Sequence, residues 1–377
     1  MKELSREIPV DLKKIRAPQY GRVLEDFVPN EIFCHPRGIT IDRGFAIEFA
    51  TTFMETNPLH TNAEFAKAHG FEDLVVSPLM VLNIAISLGV QNDSEKAIAN
   101  LGYYDVEFPQ LVYPGDTLRG LTRVVDRKER GDKPGIVTIR TVALNQRNEV
   151  VCQYNRKIMV PRGGKKSDPT TATGQTFLDD NRGAMNCTPT IKRPYPNNLT
   201  GTRTYFEDFT VGEIILHKNG RTITDEHIPW TYRLLNTHPL HYDRVYARNA
   251  KLSGTGEPVV YGGLVFAWLC GLASRDVSEN ALWDLGYTEG YHTQPAYSGD
   301  TVVAMSRVLA KEDHSKAAGI VQSQLIGLKN ITVHDALQKY GTELFLKEAD
   351  KKDSGQQKIP EKIFEIERRL LIKRRPG

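Results

Sequence analysis

Cysteine is scarce in this chain, which has only Cys34, Cys152, Cys187 and Cys270 among 377 residues. No two of them have the short spacing of a zinc site or of a redox-active pair. So few cysteines are typical of a reducing compartment, where they act as small core residues. The sequence therefore predicts a cytoplasmic protein and offers no cysteine-based metal centre.

A surplus of one charge is also absent. Lys and Arg number 49 against 46 Asp and Glu, which gives a net charge of +3. This balance excludes nucleic-acid binding through bulk positive charge, whereas a small anionic ligand remains compatible with it. We therefore expect no nucleic-acid partner.

Long apolar runs are missing as well. The two most apolar segments, 74–90 and 259–273, are short for a membrane span of about 20 residues and contain Ser, Pro, Asn or paired Gly. The first residues, Met1 to Glu7, carry charges rather than an apolar stretch, so they do not form a secretory signal. We expect no membrane partner and interpret both apolar segments as helices buried on nearly every face.

The most informative feature that is present is a loop sequence that occurs twice. It is Asn-Pro-Leu-His-Thr-Asn at 57–62 and His-Pro-Leu-His-Tyr-Asp at 238–243, so the histidines are His60 and His241. A loop stiffened by proline is a natural way to hold an imidazole over a substrate. The two copies indicate that one half of the chain repeats the other.

The repeat extends well beyond these loops. Leu-Gly-Tyr occurs at 101–103 and 285–287, and a Gly-Asp-Thr turn occurs at 115–117 and 299–301, each followed by an alternating β pattern. We expect two domains, 18–162 and 201–377, joined by a linker at 163–200 that is rich in Gly, Ser, Thr and Pro. Extra residues at 332–358 are interpreted as a solvated surface excursion.

Each half has the order strand, loop, apolar helix and then several strands joined by tight turns. This order predicts the α+β class with a mostly antiparallel sheet. A long apolar helix cannot bury its whole surface on one flat sheet. We therefore expect a curved sheet wrapped around the helix in each half.

These motifs resemble the MaoC-like, hydratase 2 group of double hotdog proteins. The resemblance lies in the loop 55–60, the Pro-Gly-Asp turn at 114–116, and the second-half segments His-Pro-Leu-His at 238–241 and Tyr-Gly-Gly at 261–263. Ala-Asn-Leu-Gly-Tyr at 99–103 is similar to the mesaconyl-CoA hydratases, also called β-methylmalyl-CoA dehydratases. The resemblance implies a hydro-lyase that interconverts mesaconyl-CoA and β-methylmalyl-CoA. It implies no cofactor, because CoA is part of the substrate.

Reversible hydration of an enoyl thioester needs a base for water, an acid for the α-carbon and donors for the thioester oxygen. In the first half the resemblance assigns Glu55 and His60 to proton transfer and Asn57 to the oxyanion donor. It also predicts a glycine N–H at the start of the following helix, where this chain has Pro78. Asn57 and Pro58 equally fit simple helix initiation.

In the second half the resemblance makes His241 the acid/base, with Asn236 orienting water. His238 is expected to assist or to contact the substrate, and Tyr261 and Gly262 are expected to form the substrate-binding helix start. The sequence leaves open which half works and favours the second slightly. A metal site at His238 and His241 is disfavoured, because their spacing of three residues across a proline does not match helical ligands.

Three functions remain open at this point. They are mesaconyl-CoA hydration, (R)-specific hydration of fatty enoyl-CoA thioesters, and binding of acyl-CoA by a catalytically degenerate module. A dicarboxylate substrate requires a cation near the acyl end, whereas a fatty one requires an apolar tunnel. Ten basic residues are candidates for the CoA phosphates, although a solvated strand face is the expected role of most of them. They are Arg156, Lys157, Arg162, Lys165, Lys166, Arg368, Arg369, Lys373, Arg374 and Arg375. A homodimer or a higher homo-oligomer is expected.

Overall fold

The computed structural model describes residues 10–163, 200–250, 252–351 and 355–375. The predicted linker 163–200 thus lies almost entirely outside the described residues. Within them, ten strands form one sheet in the order β1-β3-β4-β5-β2-β7-β10-β9-β8-β6. The strands are β1 Ile32–Thr40, β2 Ala99–Glu107, β3 Thr117–Arg130, β4 Lys133–Leu144, β5 Val150–Val160, β6 Ile214–Thr222, β7 Ala281–His292, β8 Thr301–Asp313, β9 Ala318–Lys329 and β10 Lys362–Lys373.

Eight α-helices occur in the described part of the chain. They are α1 Arg43–Thr52, α2 Ala63–Ala68, α3 Pro78–Gly89, α4 Trp230–Arg233, α5 Arg244–Ala250, α6 Gly262–Val277, α7 Val333–Tyr340 and α8 Glu348–Lys351. The two repeated loops form short 3₁₀ turns, Pro58–His60 and Pro239–His241, each with proline in the first turn. None of these helices is long and apolar enough to cross a membrane.

The apolar segments form the two central helices, as predicted. Helix α3 is buried from Leu79 to Gly89 and contacts β1, β3, β4 and β5. Helix α6 is buried over most of its length and contacts β6, β8 and β9. Because α3 and α6 also contact each other, their side chains belong to one apolar core. The expected α+β architecture, a curved antiparallel sheet around a central helix in each half, is confirmed.

The two halves are joined edge to edge in the middle of the sheet. Strand β2 pairs antiparallel with β7, with Tyr103 opposite Gly290 and Val106 opposite Tyr287. The repeat is also kept in the register of the neighbouring strands. Tyr103 on β2 is opposite Arg156 on β5, and Tyr287 on β7 is opposite Arg368 on β10. Equivalent residues of the two halves therefore occupy equivalent places around the shared seam.

The segment near 332–358 is not the solvated excursion that its charges indicate. Val333 and Ala336 of α7, together with Leu344 and Phe345, are buried in an apolar cluster against β8 and β9. Glu348 and Lys351 are buried as well and form an ion pair at 2.8 Å. Apolar residues at helical spacing, rather than the charges around them, decide where this segment lies.

Candidate active site

The structure contains two cavities at equivalent places beside the central helices. The first has a volume of about 30 Å³ and is lined by Glu55, Asn57, His60 and Pro78, together with residues of β7 and β10. The second has a volume of about 320 Å³. Since one water needs roughly 10–15 Å³ and ligand pockets start near 300 Å³, the first cavity suits water and the second can accept an acyl group.

The second cavity brings together five of the eight predicted site residues and is lined by residues of both halves. Asn236, His238, His241, Tyr261 and Gly262 come from the second half. The first half contributes Asn100, Tyr103 and Arg156, among others. Glu55, Asn57 and His60 lie in the other cavity. The eight predicted site residues are thus divided between two separate places, and each place is built from both halves.

Each repeated histidine is held in the same way. The Nδ1 atom of His60 lies 2.8 Å from the carbonyl oxygen of Val75, and Nδ1 of His241 lies 2.8 Å from that of Val259. A carbonyl can only accept, so Nδ1 carries the proton and donates it in both residues. The Nε2 atom of the neutral ring is therefore left with a lone pair, which makes His241 a base at the wall of the second cavity.

The pKa of His241 is lowered to about 3, mainly by burial and to a smaller extent by the neighbouring His238 and His292. The imidazole is therefore uncharged near neutral pH. Its ring packs against Tyr261, with 5.4 Å between ring centroids. The Tyr261 hydroxyl is also buried, and burial raises its pKa to about 12. Tyr261 therefore stays protonated under ordinary conditions.

Glu55 and Asn236 occupy equivalent positions five residues before each histidine. Oε1 of Glu55 accepts a hydrogen bond of 2.9 Å from the N–H of Asn57. Oδ1 of Asn236 accepts one of 3.0 Å from the N–H of His238. Exchange of a carboxylate for an amide thus keeps the loop geometry and removes a negative charge from the second site.

Asn57 and His238 begin the two 3₁₀ turns, and both fasten their loop to the opposite half. Asn57 accepts from the N–H of Leu59 and donates through Nδ2 to the carbonyls of Ser278 and Ala281. His238 accepts at Nδ1 from the N–H of Leu240 and donates through Nε2 to the carbonyl of Ala97 at 3.1 Å. Both nitrogens of His238 are therefore engaged, so only its carbon edge can meet a substrate.

The central helices begin differently in the two halves. Helix α3 begins with Pro78, which has no N–H. Helix α6 begins with Gly262 after Tyr261, and the N–H of a first helical residue has no intrahelical acceptor. A Cβ at Gly262 would meet the His292 ring at 2.5 Å, so this position accepts only glycine without movement of that ring. Gly262 thus offers a free donor and makes room for His292.

His292 and Tyr103 line the second cavity and were missed in the sequence. The Tyr103 hydroxyl lies 3.2 Å from Nε2 of His292, and burial lowers the pKa of His292 to about 4. The equivalent pair in the repeat is Phe108 and Tyr287, which pack edge-on with the same centroid distance of 5.6 Å and do not line the first cavity. A position-by-position comparison of the repeats, in which His292 replaces Phe108, could have found it.

Three of the candidates for the CoA phosphates are not at the surface. Arg156 and Arg368 are each 4% exposed and line the second and the first cavity respectively. Lys373 is buried too, whereas Arg374 and Arg375 form ion pairs with carboxylates at the surface. Lys165 and Lys166 lie outside the described residues. Burial alternates around the two arginines, at 155–160 on β5 and at 366–370 on β10, so one arginine of each strand points inward.

A metal centre receives no support from the side-chain arrangement. Among the residues that the structure describes, no cluster of three or more His, Cys, Asp or Glu could hold a metal ion. His238 and His241 face different partners through their ring nitrogens, as described above. The two histidines are therefore not arranged to bind one metal ion together.

Comparison with known proteins adds independent information. A family profile described as MaoC like domain matches residues 27–146, and one described as Mesaconyl-CoA hydratase matches residues 197–365. The chain is 32% identical over 300 residues to β-methylmalyl-CoA dehydratase of Chloroflexus aurantiacus, which covers 77% of this chain and 83% of that protein. It is 30% identical to mesaconyl-CoA hydratase of Cereibacter sphaeroides, covering 83% of this chain and 90% of that protein.

Solved structures agree with the fold. A MaoC domain protein dehydratase from Chloroflexus aurantiacus has a TM-score of 0.80 at 27% identity, over 96% of this chain and 100% of that one. A double hotdog protein of Mycobacterium tuberculosis has a TM-score of 0.69 at 18% identity, over 94% of this chain and 98% of that one. The double hotdog fold is thus confirmed, and the chain belongs to the MaoC-like family that contains mesaconyl-CoA hydratase and β-methylmalyl-CoA dehydratase.

Proposed function

We propose that this protein is a hydro-lyase that adds water reversibly to an enoyl-CoA thioester in the second cavity. The observation that carries this proposal is the arrangement of His241, whose Nδ1–H is fixed by Val259 and whose Nε2 is a free base beside a cavity of about 320 Å³. Gly262 contributes a free N–H at the start of a 16-residue helix that lines the same cavity. The reaction requires a base, an acid and an oxyanion donor; His241 serves as base and then as acid, and Gly262 is the donor.

The reaction is a stepwise addition. His241 Nε2 takes a proton from water as the water oxygen bonds to the β-carbon. The electron pair of the double bond moves toward the thioester oxygen, where the Gly262 N–H and the positive end of the α6 dipole stabilise the enolate. The imidazolium of His241 then returns its proton to the α-carbon. Asn236 orients the water, since its side chain lies beside the same loop.

Several contacts support this choice of cavity over the first. The first cavity, at about 30 Å³, has no room for an acyl group, and Pro78 removes the N–H that would bind the thioester oxygen. The side chain of Asn57 makes three hydrogen bonds that hold the loop, so it has no donor left for the thioester oxygen. Glu55 and His60 therefore serve in a small polar site that helps to join the halves, and we assign them no part in turnover.

The substrate is proposed from the names of the relatives. Both curated relatives with at least 30% identity act on mesaconyl-CoA or β-methylmalyl-CoA by name. We therefore propose mesaconyl-CoA and β-methylmalyl-CoA as the pair that is interconverted, with CoA as part of the substrate and no further cofactor. Hydration of a fatty enoyl-CoA and binding without turnover are the alternative outcomes.

Absorbance at the enoyl thioester band tests this directly. Purified protein mixed with mesaconyl-CoA is expected to reduce that absorbance until equilibrium, and β-methylmalyl-CoA is expected to restore it. Crotonyl-CoA and a long-chain trans-2-enoyl-CoA are run in parallel. Faster turnover of the long-chain thioester would replace the substrate proposal, and binding of mesaconyl-CoA without any absorbance change would refute the enzyme itself.

The remaining proposals concern organisation. The limits 18–162 and 201–377 are retained as domain boundaries, with the seam between β2 and β7 as the junction. We propose a homodimer or higher homo-oligomer, to be checked by light scattering coupled to size-exclusion chromatography. A cytoplasmic location is proposed from the scarcity of cysteine, and Cys34, Cys152 and Cys270 carry free thiols.

A further inference from the structure

Arg156 is a buried cation in the wall of the second cavity. It lies on β5 opposite Tyr103, and it is 4% exposed. Among the described residues that line this cavity, it is the only one with a formal charge near neutral pH, because His238, His241 and His292 have lowered pKa values. The cavity therefore presents one fixed positive charge to any ligand.

The guanidinium is held from the protein side. Nη2 of Arg156 donates to Oδ1 of Asp93 at 3.2 Å and to Oγ of Ser94 at 3.1 Å. Asp93 does not line the cavity, and its negative charge is shared with a second arginine, Arg22. Nε of Arg156 is buried and forms no hydrogen bond with any described residue. A guanidinium has five N–H donors, so donors remain after these contacts.

The first cavity contains the same arginine in a different charge environment. Arg368 stands opposite Tyr287 as Arg156 stands opposite Tyr103, and its Nη2 donates to Asp284 at 3.2 Å. Asp284 and Glu55 both line that cavity with Arg368. The cation there is already matched by two carboxylates, with room left only for water.

Both of those carboxylates are amides in the second cavity. The position of Glu55 is taken by Asn236, and the position of Asp284 by Asn100. The equivalence is visible in hydrogen bonds, because Asn100 accepts from the N–H of Gly102 as Asp284 accepts from the N–H of Gly286. Each amide keeps the backbone contact while it removes a negative charge; Asn100 also keeps the shape of Asp284, whereas Asn236 is one methylene shorter than Glu55. The result is an arginine whose counter-charge is missing on the cavity side.

We propose that Arg156 binds the free carboxylate at the distal end of a dicarboxylic acyl group, and so selects the monothioester of an unsaturated dicarboxylic acid over a fatty enoyl-CoA. This inference rests on the proposed function for the identity of the site. A carboxylate accepts two parallel N–H bonds from a guanidinium. Asp93 and Ser94 engage only Nη2 of Arg156, and its Nε–H forms no hydrogen bond with any described residue. A ligand that ends in a methyl group would leave these remaining donors without an acceptor and is rejected for that reason.

Binding of two unreactive thioesters isolates this contact. Methylsuccinyl-CoA and 2-methylbutyryl-CoA differ only in a carboxylate against a methyl group at the distal end. Calorimetric titration of the full-length protein is expected to show tighter binding of methylsuccinyl-CoA by about 100-fold, the size typical of a buried charge pair. Equal affinities in the unaltered protein would overturn the inference.

Arg156→Gln is expected to abolish this preference, and Arg156→Lys to retain part of it, because lysine keeps the charge without the planar fork. The pair Arg156→Gln with Asp93→Asn removes both charges and guards against misfolding from an unpaired Asp93. The matched control is Arg368→Gln with Asp284→Asn in the first cavity, which is expected to leave the ratio of the two affinities unchanged.

The outcomes separate this inference from the hydratase proposal. Hydration of mesaconyl-CoA with a preference that survives Arg156→Gln overturns the role of Arg156 and leaves the reaction standing. A preference that depends on Arg156 without any hydration of mesaconyl-CoA upholds the carboxylate site and overturns the reaction. Loss of the preference in the control pair instead would place the carboxylate in the first cavity and refute the inference.

Discussion

The two cavities share one backbone plan and differ in size, charge and helix start. The first holds Glu55, Asp284 and Arg368 around about 30 Å³. The second has a volume of about 320 Å³, and Arg156 is the one charged residue among the described residues that line it. Both histidines nevertheless donate to a valine carbonyl at 2.8 Å. Duplication thus preserved the geometry of the loop, while a few substitutions separated a closed polar site from an open one.

This difference explains how one copy can become structural without loss of the fold. In the first cavity the buried charges compensate one another, which a low-dielectric interior requires. In the second, amides replace two carboxylates and leave a cation for a ligand. Because the loop of each half is fastened to carbonyls of the other, each half depends on its partner.

The largest expected effect separates the two histidines. His241→Ala is expected to reduce kcat for hydration of mesaconyl-CoA by about 10²–10⁴-fold, the typical contribution of a general base. His60→Ala is expected to reduce it by less than about 10-fold, since its cavity cannot hold an acyl group. Steady-state assays on both variants check this, and a larger loss in His60→Ala would transfer the active site to the first half.

A smaller effect is expected when a carboxylate of the first cavity is introduced into the second cavity by substitution. Asn100→Asp places a carboxylate where Asp284 stands in the first cavity, beside the Arg156 region. We expect the KM for mesaconyl-CoA to rise by about 10- to 100-fold through charge neutralisation and repulsion. An enoyl-CoA whose acyl group has no carboxylate, such as crotonyl-CoA, should show little change, and an equal rise for both substrates would contradict the electrostatic explanation.

The helix starts provide a third comparison. Gly262→Ala drives a Cβ into the His292 ring at 2.5 Å, so we expect a loss of about 1–3 kcal/mol in stability and a parallel fall in kcat. Pro78→Ala restores an N–H to the first helix and should change stability by less than about 1 kcal/mol without raising activity. Thermal unfolding and turnover measure both. A gain of activity in Pro78→Ala would show that the first cavity is used.

The smallest effect concerns pH. Burial lowers the pKa of His241 to about 3, so kcat/KM for hydration should not fall between pH 6.5 and 5 through loss of the base. The stability of the fold, in contrast, should decrease as the pH falls. His35, His69 and His292 have pKa values of about 4, so the unfolded chain binds more protons below pH 6.5 and the melting temperature falls as the pH falls. An acid limb of kcat/KM near 6.5 with a constant melting temperature would contradict this assignment.

Much of the fold could be predicted from the repeated sequence. The apolar segments at 74–90 and 259–273 predicted two central helices, and α3 and α6 lie there. The segment 332–358 was misjudged, because its charges hide the apolar spacing of Val333, Ala336 and Leu344. Local composition reports average polarity, whereas burial depends on which face each residue takes.

The candidate site could be predicted only in part. The repeated loop identified His241 and the Tyr-Gly-Gly segment identified Gly262, since each of these motifs is contiguous in the chain. Arg156 and His292 lie far from the loop in sequence and come to it through strand register and the seam between halves. The solvated strand face expected for most of the basic residues is wrong for Arg156 for the same reason, because burial along β5 shows that this side chain points inward.

The sequence by itself determined the duplication, the α+β class, the family resemblance and the pair of histidines, because each of these is carried by a contiguous motif or by a repeat. Only the tertiary structure decided which copy has room for an acyl group and which side chains surround it. Cavity volume and buried charge depend on residues from β2, β5, β7 and β10 that meet across the joined halves. Both quantities depend on how residues distant in the chain pack and on the register of the strands, and a local sequence pattern contains neither.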